Sequence, residues 1–127
     1  MLKLVGVKKT LGTQPVLRGV DLTIPSGKLT TIIGRSGEGK SVLLKHMIGL
    51  LQPDEGQVWV GDVDISRLRG QPLNEVRKRF SMLFQGAALF DSMSVFENVA
   101  FPLKEKLRMK GPEVAARVNE MLDQVGL

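Results

Sequence analysis

At 127 residues with 43% hydrophobic side chains, the chain is long and apolar enough to form one compact domain, and its composition excludes intrinsic disorder. The lack of cysteine excludes disulfides and cysteine-ligated metals, a single histidine argues against a zinc cluster, and no segment reaches the ~20 apolar residues that cross a bilayer. A net charge of +5 is compatible with a nucleic-acid partner, but acidic residues are interspersed and aromatic residues are few, so we expect the basic patch between Arg67 and Arg79 to be solvated surface.

Three strands are predicted before the first helix. Residues 2–7 and 20–25 alternate polar with apolar side chains, as half-exposed strands do, and Leu22 and Ile24 share one face of the second. Residues 29–34, LTTIIG, differ because they are a β-branched run that ends in glycine. This run predicts a strand buried on both faces of a parallel sheet.

A helix is predicted directly after the third strand, because apolar residues recur there at helical spacing. Its apolar stripe consists of Leu44, Met47, Ile48 and Leu51. Gln52 precedes Pro53 and is steered away from helical geometry, so we expect the helix to end there. His46 lies inside this helix, and we expect it to be a packed or surface histidine without a role in chemistry.

The middle of the chain predicts a hairpin, a short helix and a further strand. Residues 57–65 form the hairpin around the turn Gly61–Asp62, with Trp59 as a packing residue. A short charged helix is expected near residues 73–79. The apolar segment 80–84, FSMLF, predicts a second buried strand.

Two helices are predicted in the last third of the chain. Ser94 and Glu97 have the spacing of a capping box, which marks a helix start. Gly111 and Pro112 open the last helix, and Gly126 is its expected C-cap. The apolar stripe of the last helix consists of Val114, Val118, Met121, Leu122 and Val125. Because short strands alternate with helices, the expected fold class is α/β.

A phosphate-binding loop is the strongest chemical signal. Residues 34–41, GRSGEGKS, match G-x-x-x-x-G-K-[ST] between a predicted buried strand and a helix. Glycines let successive N–H groups point into one concavity, and the helix N-terminus adds positive charge, so phosphate binding is favoured over a simple turn that caps a helix. The candidate cofactor-binding residues are Gly34, Arg35, Ser36, Gly37, Glu38, Gly39, Lys40, Ser41 and Val42. Lys40 would reach the β- and γ-phosphates, and the Ser41 hydroxyl would ligate Mg²⁺.

The loop and the two stretches GLLQPDEGQVWVGDVDI and MLFQGAALFDSMSVFENVAFPL together resemble the nucleotide-binding subunit of ABC transporters. The last two stretches are most similar to the ATPases of Mla-type phospholipid transporters. The resemblance implies an α/β P-loop NTPase fold of the ABC ATPase type, in which residues 1–127 are the N-terminal part of a single domain, with an incomplete core sheet and a small antiparallel β portion. It implies ATP and Mg²⁺ as cofactors.

The resemblance also implies partners and a location. These are the transmembrane permease subunits of a transporter, a second copy of the ATPase in a homodimer, no nucleic acid, and a cytoplasmic position on the inner face of the cell membrane, held by the permease. The loop around Leu89, Phe90, Met93 and Phe96 would be the docking surface for the permease. From the residues alone, these side chains could equally pack inside the domain.

Two further positions, Gln85 and Leu11, take a meaning from the resemblance. Gln85 would contact Mg²⁺ and the attacking water. Gln85 and Lys40 are therefore the candidate catalytic residues. Without the resemblance, the sequence predicts that Gln85 is a surface residue at the end of a strand. Leu11 stands where the family commonly has an aromatic residue that stacks on adenine, so weak base recognition is expected.

The family's signature, its strand ending in Asp-Glu and its switch histidine have no counterpart within residues 1–127. We therefore expect this stretch to bind ATP without hydrolysing it, and the segments 29–34 and 80–84 to leave unpaired strand edges. Two alternatives stay open: a soluble ABC-type ATPase of translation or DNA repair, and a P-loop kinase.

Overall fold

The computed structural model describes residues 1–86 and 88–127, which form two compact units, Met1–Ser81 and Met82–Leu127. The first unit contains a four-stranded antiparallel sheet of order β2-β1-β3-β4. Its strands are β1 (Leu2–Leu11), β2 (Gln14–Ile24), β3 (Glu55–Val60) and β4 (Val63–Asp64). The small antiparallel portion of the predicted fold and the hairpin around Gly61–Asp62 are thereby confirmed.

The core of the first unit lies on one face of this sheet. Leu4 of β1 pairs with Leu22 on one side and Val58 on the other, so the apolar faces of three strands are in register. Leu4 and Val58 are buried, and the α1 residues Leu43 and Met47 belong to the same core cluster. The alternation predicted for Leu22 and Ile24 is confirmed, since both pack against this core while their neighbours in sequence are exposed.

Two helices accompany the sheet, α1 (Lys40–Met47) and α2 (Gly70–Arg77). The prediction that α1 ends at Gln52 is wrong. Gly49 adopts a left-handed φ of 69°, its N–H donates to the His46 carbonyl, and the Leu50 N–H donates to the Lys45 carbonyl. This pair of bonds is a glycine C-cap. It ends the helix before the chain reaches the residue whose conformation the proline restricts.

The predicted apolar stripe of α1 is also corrected. Leu43, His46 and Met47 are its buried residues, whereas Leu44 is exposed. The predicted stripe assumed that the helix continues beyond Met47. Because the helix has only two turns, the later residues do not follow the helical period.

The two predicted buried strands, residues 29–34 and 80–84, are not strands in the described part of the chain. Leu29 and Ile33 are 96% and 90% exposed, and Leu83 is 88% exposed. A parallel strand exists only through hydrogen bonds to its neighbours, and none of the four strands pairs with either segment. The expected unpaired apolar surface is therefore present at both places, while the strand geometry is not.

The second unit is a pair of helices, α3 (Val95–Glu105) and α4 (Pro112–Asp123). Its core cluster consists of Ala100, Leu103, Val114 and Val118. The predicted stripe of α4 is right for Val114 and Val118 and for Leu122, which packs against them, and wrong for Met121 and Val125, which are exposed. A helix covered on one side by a single partner helix buries a narrow stripe only.

The predicted caps of this unit are confirmed. Ser94 accepts a hydrogen bond from the Glu97 N–H at 3.2 Å, and the Glu97 carboxylate accepts one from the Ser94 N–H at 2.8 Å. These bonds from Ser94 hold the pKa of Glu97 below its usual value. At the other end, Gly126 has φ 79° and the Leu127 N–H donates to the Leu122 carbonyl. In the described part of the chain no helix is long and apolar enough to cross a membrane.

The close approach of β3 to a bulge in β1 generates a stability prediction. Gly56 has φ 88°, and a Cβ there would lie 2.5 Å from the Val5 carbonyl oxygen, with the Gly6 carbonyl also in the way. Gly12 has φ 61° and open space around it. Gly12→Ala should cost about 1–2 kcal/mol from backbone strain alone, and Gly56→Ala more than about 3 kcal/mol because backbone atoms cannot move aside.

Urea unfolding followed by the fluorescence of Trp59, the single tryptophan, measures both variants in the unit that carries them. Equal losses for Gly56→Ala and Gly12→Ala would contradict the packing described at Gly56.

Candidate functional site

The glycine-rich loop 34–39 leads directly into α1, and two left-handed glycines shape it. Gly37 has φ 82° and Gly39, the N-cap residue of α1, has φ 89°. No side chain caps the helix, and its first turn holds no acidic residue. The first N–H groups of α1 and the positive end of its dipole are thus free to meet an anion.

Gly39 is held against the sheet by a contact that no larger residue allows. A Cβ at Gly39 would lie 2.8 Å from Val16 Cγ1 and 3.4 Å from the Val16 carbonyl oxygen. The start of β2 therefore packs on the point where the loop becomes a helix. The glycine at this position is required both by its left-handed φ and by the nearness of β2.

Lys40 closes the loop on itself. Its Nζ donates hydrogen bonds to the carbonyls of Gly34, at 2.6 Å, and of Arg35, at 2.5 Å. The ammonium group thus lies beside the first residues of the loop, although the lysine begins the helix that follows it. The structure brings Gly34, Arg35 and Lys40 together.

The Glu38 side chain accepts a hydrogen bond from one of the loop's backbone N–H groups. Its Oε2 accepts from the Arg35 N–H at 2.8 Å, and a Cβ on Gly34 would lie 3.0 Å from the same oxygen. A carboxylate oxygen on a backbone N–H is the contact that a phosphate oxygen makes in such loops. In this structure the loop therefore holds an internal anion.

A cavity of about 280 Å³ lies beside the loop and adds residues that the sequence did not identify. It is lined by Gln14, Pro15, Val16 and Arg18 of β2 together with Gly37 and Glu38. No sequence motif identifies these residues as part of the site. They lie beside the loop because β2 contacts it at Gly39 in the folded chain. Leu11 ends β1, pairs with Gln14 and is 43% exposed.

His46 is buried within α1. Its Nδ1 lies 2.7 Å from the Val42 carbonyl oxygen, and within the described residues its Nε2 has no hydrogen-bond partner. The expectation of a packed histidine is confirmed.

The residues present fit Mg²⁺ as a partner of bound phosphate. Ser41 is exposed in the first turn of α1, next to Lys40, where its hydroxyl oxygen is a suitable ligand. Within residues 1–86 and 88–127 no group of three or more His, Cys, Asp or Glu side chains could hold a metal. Mg²⁺ commonly takes one or two protein ligands and completes its coordination shell with phosphates and water. One serine hydroxyl is therefore enough as the protein's ligand in such a site. Gln85 lies in an exposed turn of the second unit.

Comparison with known proteins places this loop in a family context. A family model described as ABC transporter matches residues 17–127. The probable ribonucleotide transport ATP-binding protein mkl of Mycobacterium tuberculosis is 43% identical over 122 residues, which are 96% of this chain and 34% of that protein. The intermembrane phospholipid transport system ATP-binding protein MlaF of Escherichia coli is 41% identical over 121 residues, 95% of this chain and 45% of that protein.

The methionine import ATP-binding protein MetN of Mesorhizobium japonicum is 42% identical over 127 residues, 100% of this chain and 34% of that protein. A solved dimeric ATP-binding cassette in a post-hydrolysis state, bound to ADP and Pi, superimposes with a TM-score of 0.83 at 33% identity, covering 100% of this chain and 58% of that chain. The chain thus spans between about a third and a half of the length of these curated relatives.

The internal anion predicts a variant with tighter phosphate binding. Glu38→Gln keeps the shape of the side chain and removes the charge that competes with phosphate. Two charges about 4 Å apart in water interact by about 1 kcal/mol, so affinity for inorganic tripolyphosphate should rise about fivefold.

Titration calorimetry with tripolyphosphate measures this, and Glu105→Gln, which changes the net charge equally at an exposed position of α3, is the control. Affinity that is unchanged or weaker in Glu38→Gln would show that the carboxylate does not occupy the anion position.

Proposed function

The chain belongs to the ABC transporter family, and we propose that its residues Gly34–Val42 bind the phosphates of ATP in the nucleotide-binding subunit of a transporter. The observation that carries the proposal is the position of Lys40, whose Nζ lies across the loop on the Gly34 and Arg35 carbonyls. A phosphate entering the loop meets that ammonium group, the free N–H groups of α1 and its dipole at one place.

The roles of the individual residues follow from this arrangement. Lys40 moves from the carbonyls to the β- and γ-phosphates, and the backbone N–H groups of Arg35 to Val42 form the cradle. Ser41 would hold Mg²⁺ through its hydroxyl, and the ion, when bound, would neutralise charge on the phosphates. Gln85 would be a further ligand of Mg²⁺ and would position the attacking water in the assembled protein, a role taken from the family resemblance. The cavity beside the loop, lined by Pro15 and Val16, would take the rest of the nucleotide.

The proposal extends to the assembly. Residues 1–127 supply the N-terminal part of one ATPase domain, two copies of which act as a homodimer that hydrolyses ATP in the cytoplasm, on the inner face of the membrane. The solved cassette with a similar fold is itself dimeric, which supports the homodimer.

A permease is the proposed membrane partner, and the second unit offers a surface for it. Leu89, Phe90 and Val95 are 65%, 46% and 63% exposed, around a cavity of about 310 Å³. Clustered apolar side chains at the surface mark an interaction site. This surface favours the transporter over the soluble ABC-type ATPase, which remains the second candidate function.

The transported molecule in this proposal is a lipid. Its support is the relative named for intermembrane phospholipid transport, and relatives named for methionine import and for ribonucleotide transport are equally similar. In this proposal the chain supplies the nucleotide loop and the docking surface, and the permease selects the transported molecule.

Lys40→Ala tests ATP binding most simply. Removing a charge-assisted contact to phosphate costs about 1.5–3 kcal/mol, so Mg-ATP affinity should fall roughly ten- to hundredfold in calorimetry. Lys28→Ala, which removes an exposed lysine upstream of the loop, should bind as the unchanged chain does. Equal affinity in Lys40→Ala and Lys28→Ala would refute the proposed function.

The selectivity between ATP and GTP, also measured by calorimetry, gives a second test of the proposed function. Leu11 offers no aromatic face to a purine, so Mg-ATP and Mg-GTP should differ by less than about tenfold in affinity, or roughly 1.4 kcal/mol. A larger preference for ATP would mean that another residue recognises adenine.

A further inference from the structure

Arg77, the last residue of α2, forms a hydrogen bond to the segment that ends α1. Its Nη2 donates to the Gly49 carbonyl at 2.5 Å, and its Nη1 donates to the Asn74 side-chain oxygen at 3.1 Å. The bond to Asn74 orients the guanidinium group from within α2. The Nε atom of Arg77 is buried, and within residues 1–86 and 88–127 it has no hydrogen-bond partner. Because burying an unpaired polar atom is costly, the bond to Gly49 is a specific contact and not a chance meeting of surface groups.

Leu73 makes a second contact from α2 to the same glycine. A Cβ at Gly49 would lie 2.8 Å from Leu73 Cδ1. Leu73 is buried and belongs to the same core cluster as Leu43 and Met47 of α1. The left-handed φ of 69° at Gly49 is also what ends α1. The C-cap of α1 therefore has both a polar and an apolar contact with α2.

The two ends of α1 are thus held by different elements. Its N-terminus lies against β2, where Val16 leaves no room for a Cβ on Gly39. Its C-terminus lies against α2 through Gly49. A helix of eight residues is only about 12 Å long, so a small shift at one end changes the direction of the whole helix. The N–H groups of the first turn keep their direction only while both ends are held.

We propose that Arg77 is a positioning residue for the nucleotide loop. By holding the C-terminal end of α1 on α2, it keeps the first-turn N–H groups and Lys40 aimed at the phosphates. The inference rests on the proposed function, because it concerns the site assigned to ATP there. The cation lies at the end of α1 where the helix dipole is negative, which favours its position. Arg77 acts through α1 and not on the nucleotide itself, since the strength of charge-assisted hydrogen bonds to phosphate depends on distance and angle.

Arg77→Met keeps an unbranched side chain and removes the charge and both hydrogen bonds. Its Mg-ATP affinity per folded molecule should fall at least about fivefold in calorimetry, the equivalent of about 1 kcal/mol, with the folded fraction measured by the fluorescence of Trp59. Lys78→Met is the matched control, because Lys78 is the next residue and its side chain bonds to Glu75 at the surface. This control should bind Mg-ATP as the unchanged chain does.

A purely structural role for Arg77 predicts a different result. Arg77→Met would then unfold at a lower urea concentration, while its affinity per folded molecule would equal that of Lys78→Met. That outcome would overturn the inference.

Hydrogen–deuterium exchange of the unchanged chain measures the coupling between the ends of α1 without relying on a variant. Binding at one end and order at the other are coupled reciprocally if the helix is held as described. Saturating Mg-ATP should therefore slow exchange of the Gly49 and Leu50 amides, which bond to the His46 and Lys45 carbonyls, at least about threefold. The slowing should be lost in Arg77→Met and kept in Lys78→Met.

If Mg-ATP binds to the unchanged chain and exchange at Gly49 and Leu50 stays the same, the inference fails and the proposed nucleotide site stands. If the unchanged chain and Lys40→Ala bind Mg-ATP equally, the proposed function fails and takes the inference with it.

Discussion

The glycine-rich loop 34–39 depends on the close approach of β2 to the N-terminus of α1. Gly39 sits where Val16 leaves no room for a Cβ, so the sheet fixes the point at which the loop becomes a helix. From that fixed point Lys40 reaches back to the carbonyls of Gly34 and Arg35. The loop thus has a defined shape although the segment before it, residues 29–34, pairs with no strand. Sheet, helix start and lysine together create a concentrated positive site that suits phosphate.

The Glu38 carboxylate places an anion inside this site. Glu38 accepts a hydrogen bond from the Arg35 N–H, and Lys40 donates to the carbonyls of Gly34 and Arg35, so these polar groups of the loop are paired within the chain. In the proposed function, phosphate oxygens would take the place of the Glu38 carboxylate on the Arg35 N–H and of the two carbonyls on Lys40. This exchange would lower the loop's affinity for phosphate.

Signals that act within a few residues were readable from the sequence. The capping box at Ser94, the hairpin turn at Gly61 and the C-cap at Gly126 each depend on local hydrogen bonds or on a single glycine, and each is present in the structure. The prediction of strands at 29–34 and 80–84 was wrong because a buried strand needs partner strands, and the residues of the segment itself do not specify them. Likewise the cavity of β2 residues beside the loop was not predicted, because it arises from a contact between distant parts of the chain.

Nucleotide binding at residues 34–42 is the central claim, and amide NMR of the ¹⁵N-labelled chain during a titration with Mg-ATP tests it most directly. Gly37 and Gly39, both with left-handed φ, belong to the proposed cradle, and their amide signals report on it. The account predicts that these two signals and those of Arg35 and Lys40 shift together along one saturation curve. Saturable shifts confined to other parts of the chain, with Gly37 and Gly39 unmoved, would contradict it.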